Sequence, residues 1–399
     1  MKQAIKKKTF VIPSADDINK LLGLEIEESS KPIKRSDLET SNAEKPTEFI
    51  PLPKAFEDAL KLPGIPMGYL TLVTGWSNTG KSTIKNCLIA ACQKKGILPV
   101  IYETEGNFDW KYAIDCGVDA TPVYGEILDE ETGEITTDII KYRGNFVYFD
   151  TKTLTKKYGD FDHSAGKRVS KRRNVAVLED IALSINEILD MQDEGKIKQP
   201  ICFIWDSIGS ITSFKSYSSK SNNNMFDAGA ISQAFNSLIN NRIPTSRKVS
   251  EKYTNTMFCV NKIWNDSMNG MPGIPSIELK GGKTFFYGAR LIIHLGGVAK
   301  AATKKLTATA KGDTYNYGII TKIAVTKNQL PTPFNITYSG TMCCVHNGII
   351  PEESLEEYKK TCIKDILSKL EEIKDSPDDD KGEMSAEDII FGEEETLDE

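Results

Sequence analysis

Short apolar runs alternate with stretches of helical spacing along most of this 399-residue chain. After the run YLTLVTG, apolar residues recur three and four positions apart through Ile84, Leu88 and Ala91, as on one face of a helix that ends near Gly96. The runs ILPVIYE, ICFIWDS, TMFCVNK and ARLIIHL have the length of buried strands. This alternation, followed by several late strands, predicts an α/β fold. Its mainly parallel central sheet would be flanked by helices and carry antiparallel strands at one edge.

The same pattern divides the chain into four parts. Residues 1–47 are polar and predict a flexible N-terminal arm. Residues 48–351 predict the folded core, with a basic insertion around 119–174. Residues 352–375 predict a C-terminal helix, and residues 376–399 predict an acidic disordered tail.

The net charge of −6 is unevenly distributed. Eleven acidic residues and one lysine lie between Ser376 and Glu399, so the rest of the chain has 49 basic and 45 acidic residues, a charge of +4. Two interpretations of the tail stay open. It is either a solubilising end or a segment that competes with the phosphates of a ligand for basic parts of the chain.

The composition also excludes several classes of protein. No apolar run approaches the roughly 18 residues needed to span a bilayer, and the first residues lack the apolar core of a signal peptide, so we expect a cytoplasmic protein. The eight cysteines form no CxxC pair, and the three histidines are dispersed, so no zinc site is predicted.

The strongest chemical motif is GWSNTGKS, which follows the first apolar run and precedes the first helix. Glycines let the backbone wrap a phosphate, so that N–H groups and the positive end of the helix dipole converge on the anion. Lys81 would reach the β and γ phosphates, and the Ser82 hydroxyl would ligate Mg²⁺. The predicted nucleotide-binding residues of this loop are Gly75, Trp76, Ser77, Asn78, Thr79, Gly80, Lys81, Ser82 and Thr83.

Carboxylates follow two of the other predicted strands. Glu103 and Glu105 end the run ILPVIYETE, and Asp206 ends ICFIWD. Because the carboxyl ends of parallel strands face one crevice, we expect these acids near the phosphate loop, with Asp206 binding Mg²⁺ through water.

Taken in this order, the motifs resemble the RecA-type recombinases, in particular the phage UvsX-type branch. The resemblance covers roughly Pro51 to Pro351 and implies a RecA-type P-loop ATPase core that uses ATP and Mg²⁺. The segment ETEGNFDWKYAIDCGVD resembles the family segment in which Glu105 would activate the attacking water. There Asp109 would contact adenine and Tyr112 would stack on it.

The resemblance also assigns two further lysines to catalysis. Lys262 ends FCVNK, which resembles the strand of the γ-phosphate sensor, although the bacterial proteins carry glutamine there. Lys327 lies in TKIAVTKNQLPTPFNITYSG, which resembles a segment that reaches across a subunit interface to the neighbour's γ-phosphate. Gln329 stands where the family usually has a second cation. The implied catalytic residues are therefore Lys81, Glu105, Lys262 and Lys327.

Two polar segments, 210–227 and 263–283, resemble the DNA-contacting loops of the family. The resemblance, together with their lysines, implies DNA binding through Lys215, Lys220, Lys280 and Lys283. The basic run of the insertion has two open interpretations, a disordered segment or an auxiliary patch for duplex DNA. This run contains Lys167, Arg168, Lys171, Arg172 and Arg173.

The function implied by the resemblance is an ATP-dependent recombinase. Such a protein filaments on single-stranded DNA and promotes homologous pairing and strand exchange in recombination, repair and recombination-dependent replication. Its partners would be single-stranded and duplex DNA, further copies of itself, a single-strand binding protein and a mediator. A phage protein of this kind would act in the host cytoplasm. The alternatives are a hexameric RecA-fold helicase or motor and a RecA-like regulator without catalysis.

Overall fold

The computed structural model describes residues 19–23, 32–219, 224–266, 276–279, 282–297, 303–310 and 313–375. The predicted acidic tail lies outside these ranges, as do Lys220 and Lys280. The chain divides into a larger unit, residues 1–306 with 318–352, and a smaller unit, residues 307–317 with 353–399.

The predicted apolar runs form strands. The strands in the described ranges are β1 (Phe49–Pro51), β2 (Gly64–Pro66), β3 (Leu70–Gly75), β4 (Leu98–Glu103), β5 (Thr121–Leu128), β6 (Ile135–Arg143), β7 (Val147–Asp150), β8 (Phe161–Asp162), β9 (Lys167–Arg168), β10 (Ile201–Ile208), β11 (Thr256–Asp266), β12 (Ser276–Leu279), β13 (Leu291–Leu295), β14 (Thr303–Ala310), β15 (Asp313–Asn328), β16 (Ser339–Val345) and β17 (Gly348–Ile350).

Helices connect most of the parallel strands. The α-helices in the described ranges are α1 (Lys54–Leu60), α2 (Lys81–Lys95), α3 (Trp110–Asp115), α4 (Thr151–Tyr158), α5 (Leu178–Asp193), α6 (Phe214–Ser219), α7 (Asn224–Ser237), α8 (Ile243–Thr245), α9 (Gly282–Gly288) and α10 (Leu355–Asp375). Short 3-10 turns occupy Arg35–Leu38 and Glu352–Ser354, and a π-helical turn, Leu238–Arg242, joins α7 to α8. The helix predicted after the glycine loop is confirmed as α2.

Within the described residues, the central sheet has eleven strands in the order β17-β16-β15-β13-β3-β11-β10-β4-β7, with β12 beside β11 and β14 beside β15. From β13 to β7, neighbouring strands are parallel. The strands β15, β16 and β17 pair antiparallel at one edge. The predicted fold class is therefore confirmed.

The central strands are buried on both faces, because side chains alternate between two apolar clusters. Val73 and Ile204 point into a cluster with α1 and α2, whereas Leu72 and Phe203 point into a cluster with α5 and α7. A strand that is covered on both sides needs apolar residues at every position. This explains why these strands appear in the sequence as unbroken apolar runs.

The inserted region begins with an isolated two-stranded ribbon, β5 paired antiparallel with β6. Its root is held by aromatic packing, since the rings of Trp110 and Tyr142 stack with centroids 4.5 Å apart. Farther out, several large apolar side chains are exposed: Tyr124, Ile127, Leu128, Ile135, Ile139 and Ile140.

The basic part of the insertion is folded. It comprises α4 and the small hairpin β8–β9, and it is fixed by Arg173, which is buried and donates to Asp180 Oδ1 at 2.8 Å. Arg173 also donates to the carbonyl of Tyr158 at 2.8 Å. Of the two interpretations of this run, the disordered one does not hold, and Arg173 is not accessible to DNA.

Part of the predicted N-terminal arm contacts the core. Arg35 donates to the carbonyls of Val249 and Glu251 at 2.7 and 2.6 Å. Glu44 pairs with Arg247 at 2.7 Å.

The smaller unit contains α10, which covers the predicted C-terminal helix. Tyr358 of this helix packs on Tyr317, with ring centroids 6.2 Å apart. In neither unit does a described helix combine the length and the apolar character of a membrane span.

Candidate nucleotide-binding site

The glycine loop connects β3 to the N-terminus of α2, as the sequence predicts. Gly80 precedes the helix with a φ of 91°, a left-handed conformation that favours glycine. A Cβ atom at Gly80 would lie 2.6 Å from the Sγ atom of Cys344 on β16, so a side chain would not fit. Both constraints restrict this position to glycine and keep the first-turn N–H groups of α2 open to an anion.

Lys81 is the first residue of α2, and its side chain is folded back over the loop. Its Nζ atom donates to the carbonyl of Gly75 at 3.0 Å and also to that of Trp76. Burial lowers the pKa of Lys81 from its usual value to about 8. A phosphate in the loop would replace these two carbonyls as the partner of the ammonium group.

The rest of the loop is fixed by its own hydrogen bonds. The Thr79 hydroxyl donates to the carbonyl of Trp76 at 2.8 Å, and the Trp76 indole N–H donates to the carbonyl of Gly297 at 3.0 Å. Ser77 and Asn78 are exposed. The loop is therefore shaped before any ligand enters, which reduces the entropy lost on binding.

Strand register brings the predicted acids to the same edge of the sheet. Glu103 at the end of β4 pairs with Asp206 on β10, and Lys262 on β11 pairs with Gly75 at the end of β3. The carboxyl ends of four neighbouring parallel strands thus surround the start of α2, where an open α/β sheet binds its ligands.

Glu105 is held from both sides. Its Oε1 atom accepts from the Ser207 hydroxyl, and its Oε2 atom accepts from Lys262 Nζ at 2.8 Å. Burial raises the pKa of Glu105, but the hydrogen bonds from Lys262 and Ser207 outweigh burial and leave the pKa below its usual value. Glu105 is therefore ionised at neutral pH, as a group that accepts a proton from water must be.

Asp206 has a partner that sequence reasoning missed. Lys85, one turn after Lys81 on α2, donates to Asp206 Oδ2 at 2.6 Å and to Glu103 Oε2 at 3.2 Å. Burial alone would lower the pKa of Lys85, but the charges of Asp206 and Glu103 outweigh burial and raise it. The sequence carries no local signal for this contact, because the partners of Lys85 lie 18 and 121 residues away.

The residues at the predicted adenine site have structural partners. The Asp109 carboxylate caps α3 by accepting from the backbone N–H of Tyr112 at 2.9 Å. The Tyr112 hydroxyl shares a 2.6 Å hydrogen bond with the hydroxyl of Thr83, next to the glycine loop. This bond places the start of α3 beside the start of α2.

Ser82 and Asp206 are the predicted ligands of a magnesium ion. Ser82 lies exposed in the first turn of α2, and Asp206 lies two residues before the end of β10, at the same edge of the sheet. In the described part of the chain, no cluster of three or more His, Cys, Asp or Glu side chains could hold a metal ion. A site with one hydroxyl and one carboxylate suits Mg²⁺, which keeps several waters and binds with the phosphates of its substrate.

Comparison with known proteins finds a similarity over the first part of this site. Residues 41–145 match the family model of the RecA N-terminal domain, a stretch that includes the glycine loop, α2, Glu105 and α3. This stretch is similar to the N-terminal domain of RecA proteins. In Protein RecA of Ureaplasma parvum, 78 residues are 41% identical, covering 20% of this chain and 23% of the relative. Protein RecA of Campylobacter hominis is 35% identical over 83 residues, which cover 21% of this chain and 23% of the relative. Protein RecA of Wolinella succinogenes is 37% identical over 92 residues, which cover 21% of this chain and 26% of the relative.

The chain thus spans about a quarter of the length of these curated RecA relatives. The similarity contains the phosphate loop and Glu105 and ends before Asp206 and Lys262. The assignment to the phage branch stays a prediction.

The structure does not bring Lys327 to the phosphate loop of its own chain. It pairs with Ile292 on β13, while Leu295 of the same strand pairs with Gly75. Its Nζ atom donates to the carbonyls of Phe286 and Tyr287, at 2.8 and 2.9 Å, at the end of α9. Burial and the nearby Arg290 lower the pKa of Lys327.

The two polar segments, 210–227 and 263–283, have more regular structure than the sequence indicated. The first contains α6, which includes Lys215, and the start of α7. The second begins as a hairpin in which β11 pairs with β12, and it ends in α9, which includes Lys283. The predicted roles of Lys215 and Lys283 in DNA binding stay predictions, and Lys220 and Lys280 lie outside the described residues.

Proposed function

We propose that this chain is a DNA-dependent ATPase that assembles on single-stranded DNA and promotes homologous pairing and strand exchange. One observation carries the proposal, namely that Lys81, Asp206 and the Glu105–Lys262 pair converge at one sheet edge of a RecA-type core. These are the groups that phosphoryl transfer requires, a phosphate cation, a metal carboxylate and a group that orients water.

Each residue has a distinct task in hydrolysis. Lys81 exchanges the carbonyls of Gly75 and Trp76 for the β and γ phosphates of ATP. Ser82 and Asp206 would hold Mg²⁺, which neutralises charge on the phosphates when bound. Glu105 orients the attacking water and accepts its proton.

Lys262 links the state of the nucleotide to the base. Its ammonium group sits on Glu105 Oε2 at 2.8 Å and is 41% exposed, so an incoming γ-phosphate can compete for it. Transfer of Lys262 from Glu105 to the phosphate would free one carboxylate oxygen for water. This exchange gives Lys262 the role of γ-phosphate sensor.

Assembly would complete the site. Because Lys327 lies away from the phosphate loop of its own chain, we assign it to the site of the next protomer. ATP bound between protomers then stabilises a filament, and hydrolysis loosens it. We place this assembly in the cytoplasm, of the host for a phage protein, with a single-strand binding protein and a mediator as further partners.

Electron microscopy with single-stranded DNA and a non-hydrolysable ATP analogue tests the proposal. A long helical filament is expected, and ATP hydrolysis measured in parallel should rise when single-stranded DNA is added. Closed rings would favour a hexameric helicase. A protein that assembles on DNA without hydrolysing ATP would be a regulator instead.

A further inference from the structure

Three charged side chains form a buried cluster beside the nucleotide site. Lys85 donates to Asp206 at 2.6 Å and to Glu103 at 3.2 Å, and the side chains of Lys85, Asp206 and Glu103 are 4%, 8% and 0% exposed. The Lys85 ammonium also lies 4.8 Å from the ring centroid of Phe108. Water therefore contributes little to the solvation of these charges, and each depends on the other two.

The two carboxylates would repel each other without the lysine. Glu103 and Asp206 are direct register partners on the parallel strands β4 and β10, and both ends lie at the carboxyl edge of the sheet. Two carboxylates brought together at low exposure either share a proton or bind a cation between them. In this chain the cation is an amino acid of the adjoining helix.

The cluster contacts two groups of the proposed reaction, the metal-binding carboxylate and the backbone of the base. On one side, Lys85 holds Oδ2 of Asp206, the carboxylate assigned to Mg²⁺. On the other side, it holds Oε2 of Glu103, whose Oε1 accepts from the backbone N–H of Glu105 at 2.9 Å. One ammonium group thus orients the metal carboxylate and, through Glu103, the backbone of the base.

We propose that Lys85 is a positioning residue that takes the place of a second divalent cation between Glu103 and Asp206. It limits the site to the one metal ion that arrives with the nucleotide. This inference rests on the proposed function, since it assumes that Asp206 serves a metal–nucleotide complex. Removing the charge of Lys85 while keeping its volume should turn the carboxylate pair into a metal site that fills without nucleotide.

The test is a titration of nucleotide-free protein with Mn²⁺, followed by electron paramagnetic resonance of the free ion. Lys85→Met should bind Mn²⁺ at least about tenfold more tightly than the unaltered protein, because it leaves two carboxylates without a compensating charge. The double variant Lys85→Met with Glu103→Gln should lose this gain. Lys94→Met is the matched control, an exposed lysine of the same helix, and should bind Mn²⁺ as the unaltered protein does.

A folded Lys85→Met protein without tighter Mn²⁺ binding would overturn the proposal, and so would tighter binding that survives in the double variant. If Lys85→Met folds only when a divalent ion is present, the ion has replaced the lysine, as expected. If Lys85→Met folds under no condition, Lys85→Gln replaces it in the Mn²⁺ titration, because glutamine can still donate a hydrogen bond to Asp206. The same two outcomes would then overturn the proposal. Binding of a fluorescent ATP analogue to the unaltered protein is measured separately. Its failure would count against the proposed function, whereas the Mn²⁺ titration would still decide the role of Lys85.

Discussion

Two lysine–carboxylate pairs lie at the same edge of the sheet and differ mainly in the exposure of the lysine. Lys262 contacts Glu105 at 2.8 Å with side chains 41% and 10% exposed. Lys85 contacts Asp206 at 2.6 Å with side chains 4% and 8% exposed. An exposed pair contributes little free energy and can exchange partners with water or a ligand. A buried pair cannot lose one member without leaving an unsolvated charge. We call Lys262–Glu105 the rim pair and Lys85–Asp206 the buried pair. The rim pair is suited to exchanging partners, and the buried pair is suited to holding the geometry of the site.

The largest expected effect comes from Glu105→Gln, which removes the negative charge of the rim pair and leaves Lys262 in place. Turnover should fall by about 100-fold or more, because the water loses its proton acceptor, while ATP and DNA binding persist. Steady-state ATP hydrolysis and binding of a fluorescent ATP analogue measure the two quantities.

Glu103→Gln is the matched control from the buried cluster. Its amide oxygen can still accept from the Glu105 N–H, so turnover should fall less than about tenfold. Normal hydrolysis by Glu105→Gln, or a larger loss in Glu103→Gln, would transfer the role of base to Glu103.

A third lysine, Lys327, has carbonyl partners instead of a carboxylate and is assigned to the neighbouring site. Lys327→Ala should reduce DNA-stimulated hydrolysis by about 100-fold, as loss of one transition-state donor does, with nucleotide binding to the monomer unchanged. Mixing it with Lys81→Ala protein checks the assignment. Restored activity is expected from complementation between subunits, and a mixture as inactive as its components would contradict a shared site.

Stability should separate the two pairs directly. Lys85→Met should lower the free energy of unfolding by about 3–5 kcal/mol, since it leaves buried carboxylates unpaired. Lys262→Met should lower it by at most about 1 kcal/mol. Urea unfolding in the presence of EDTA, which removes divalent ions, measures both. Equal changes would show that exposure does not distinguish the pairs.

The smallest effect concerns pH and Lys81, whose charge interacts with members of both pairs. Because burial lowers its pKa to about 8, the free protein loses this charge above that pH, and phosphate binding must then restore the proton. ATP affinity should fall about tenfold between pH 7 and pH 9. Calorimetry in buffers of different ionisation enthalpy should detect the proton taken up. In the Lys81→Arg variant the charge persists at both pH values, and a fall of the same size there would exclude Lys81 as the cause.

The sheet and the rim of the site were predictable because they depend on short stretches of sequence. The apolar run before Gly75, the glycines and the acids after two strands each indicate their own position, and the parallel arrangement brings them together. Lys85 was not predictable in this way. Its partners lie 18 and 121 residues away, so nothing local separates it from the many lysines on solvent-facing helix surfaces.

Arg173 was missed for a similar reason. As part of a basic run, it resembled a surface charge, and its burial depends on Asp180 and on carbonyls that meet only when α4, the β8–β9 hairpin and the start of α5 are assembled. Polar segments such as Phe214–Ser219 also formed helices, because tertiary packing overrides weak helix propensity.

The β5–β6 ribbon has a practical consequence for experiments on this chain. Its strands of eight and nine residues rise roughly 3.4 Å per residue, so the turn at 129–134 lies about 25 Å from the ribbon's root. The root itself is fixed by Trp110 and Tyr142. A fluorophore attached at this turn would therefore lie about 25 Å from a fixed root, a defined position suited to measuring distances between neighbouring copies by energy transfer.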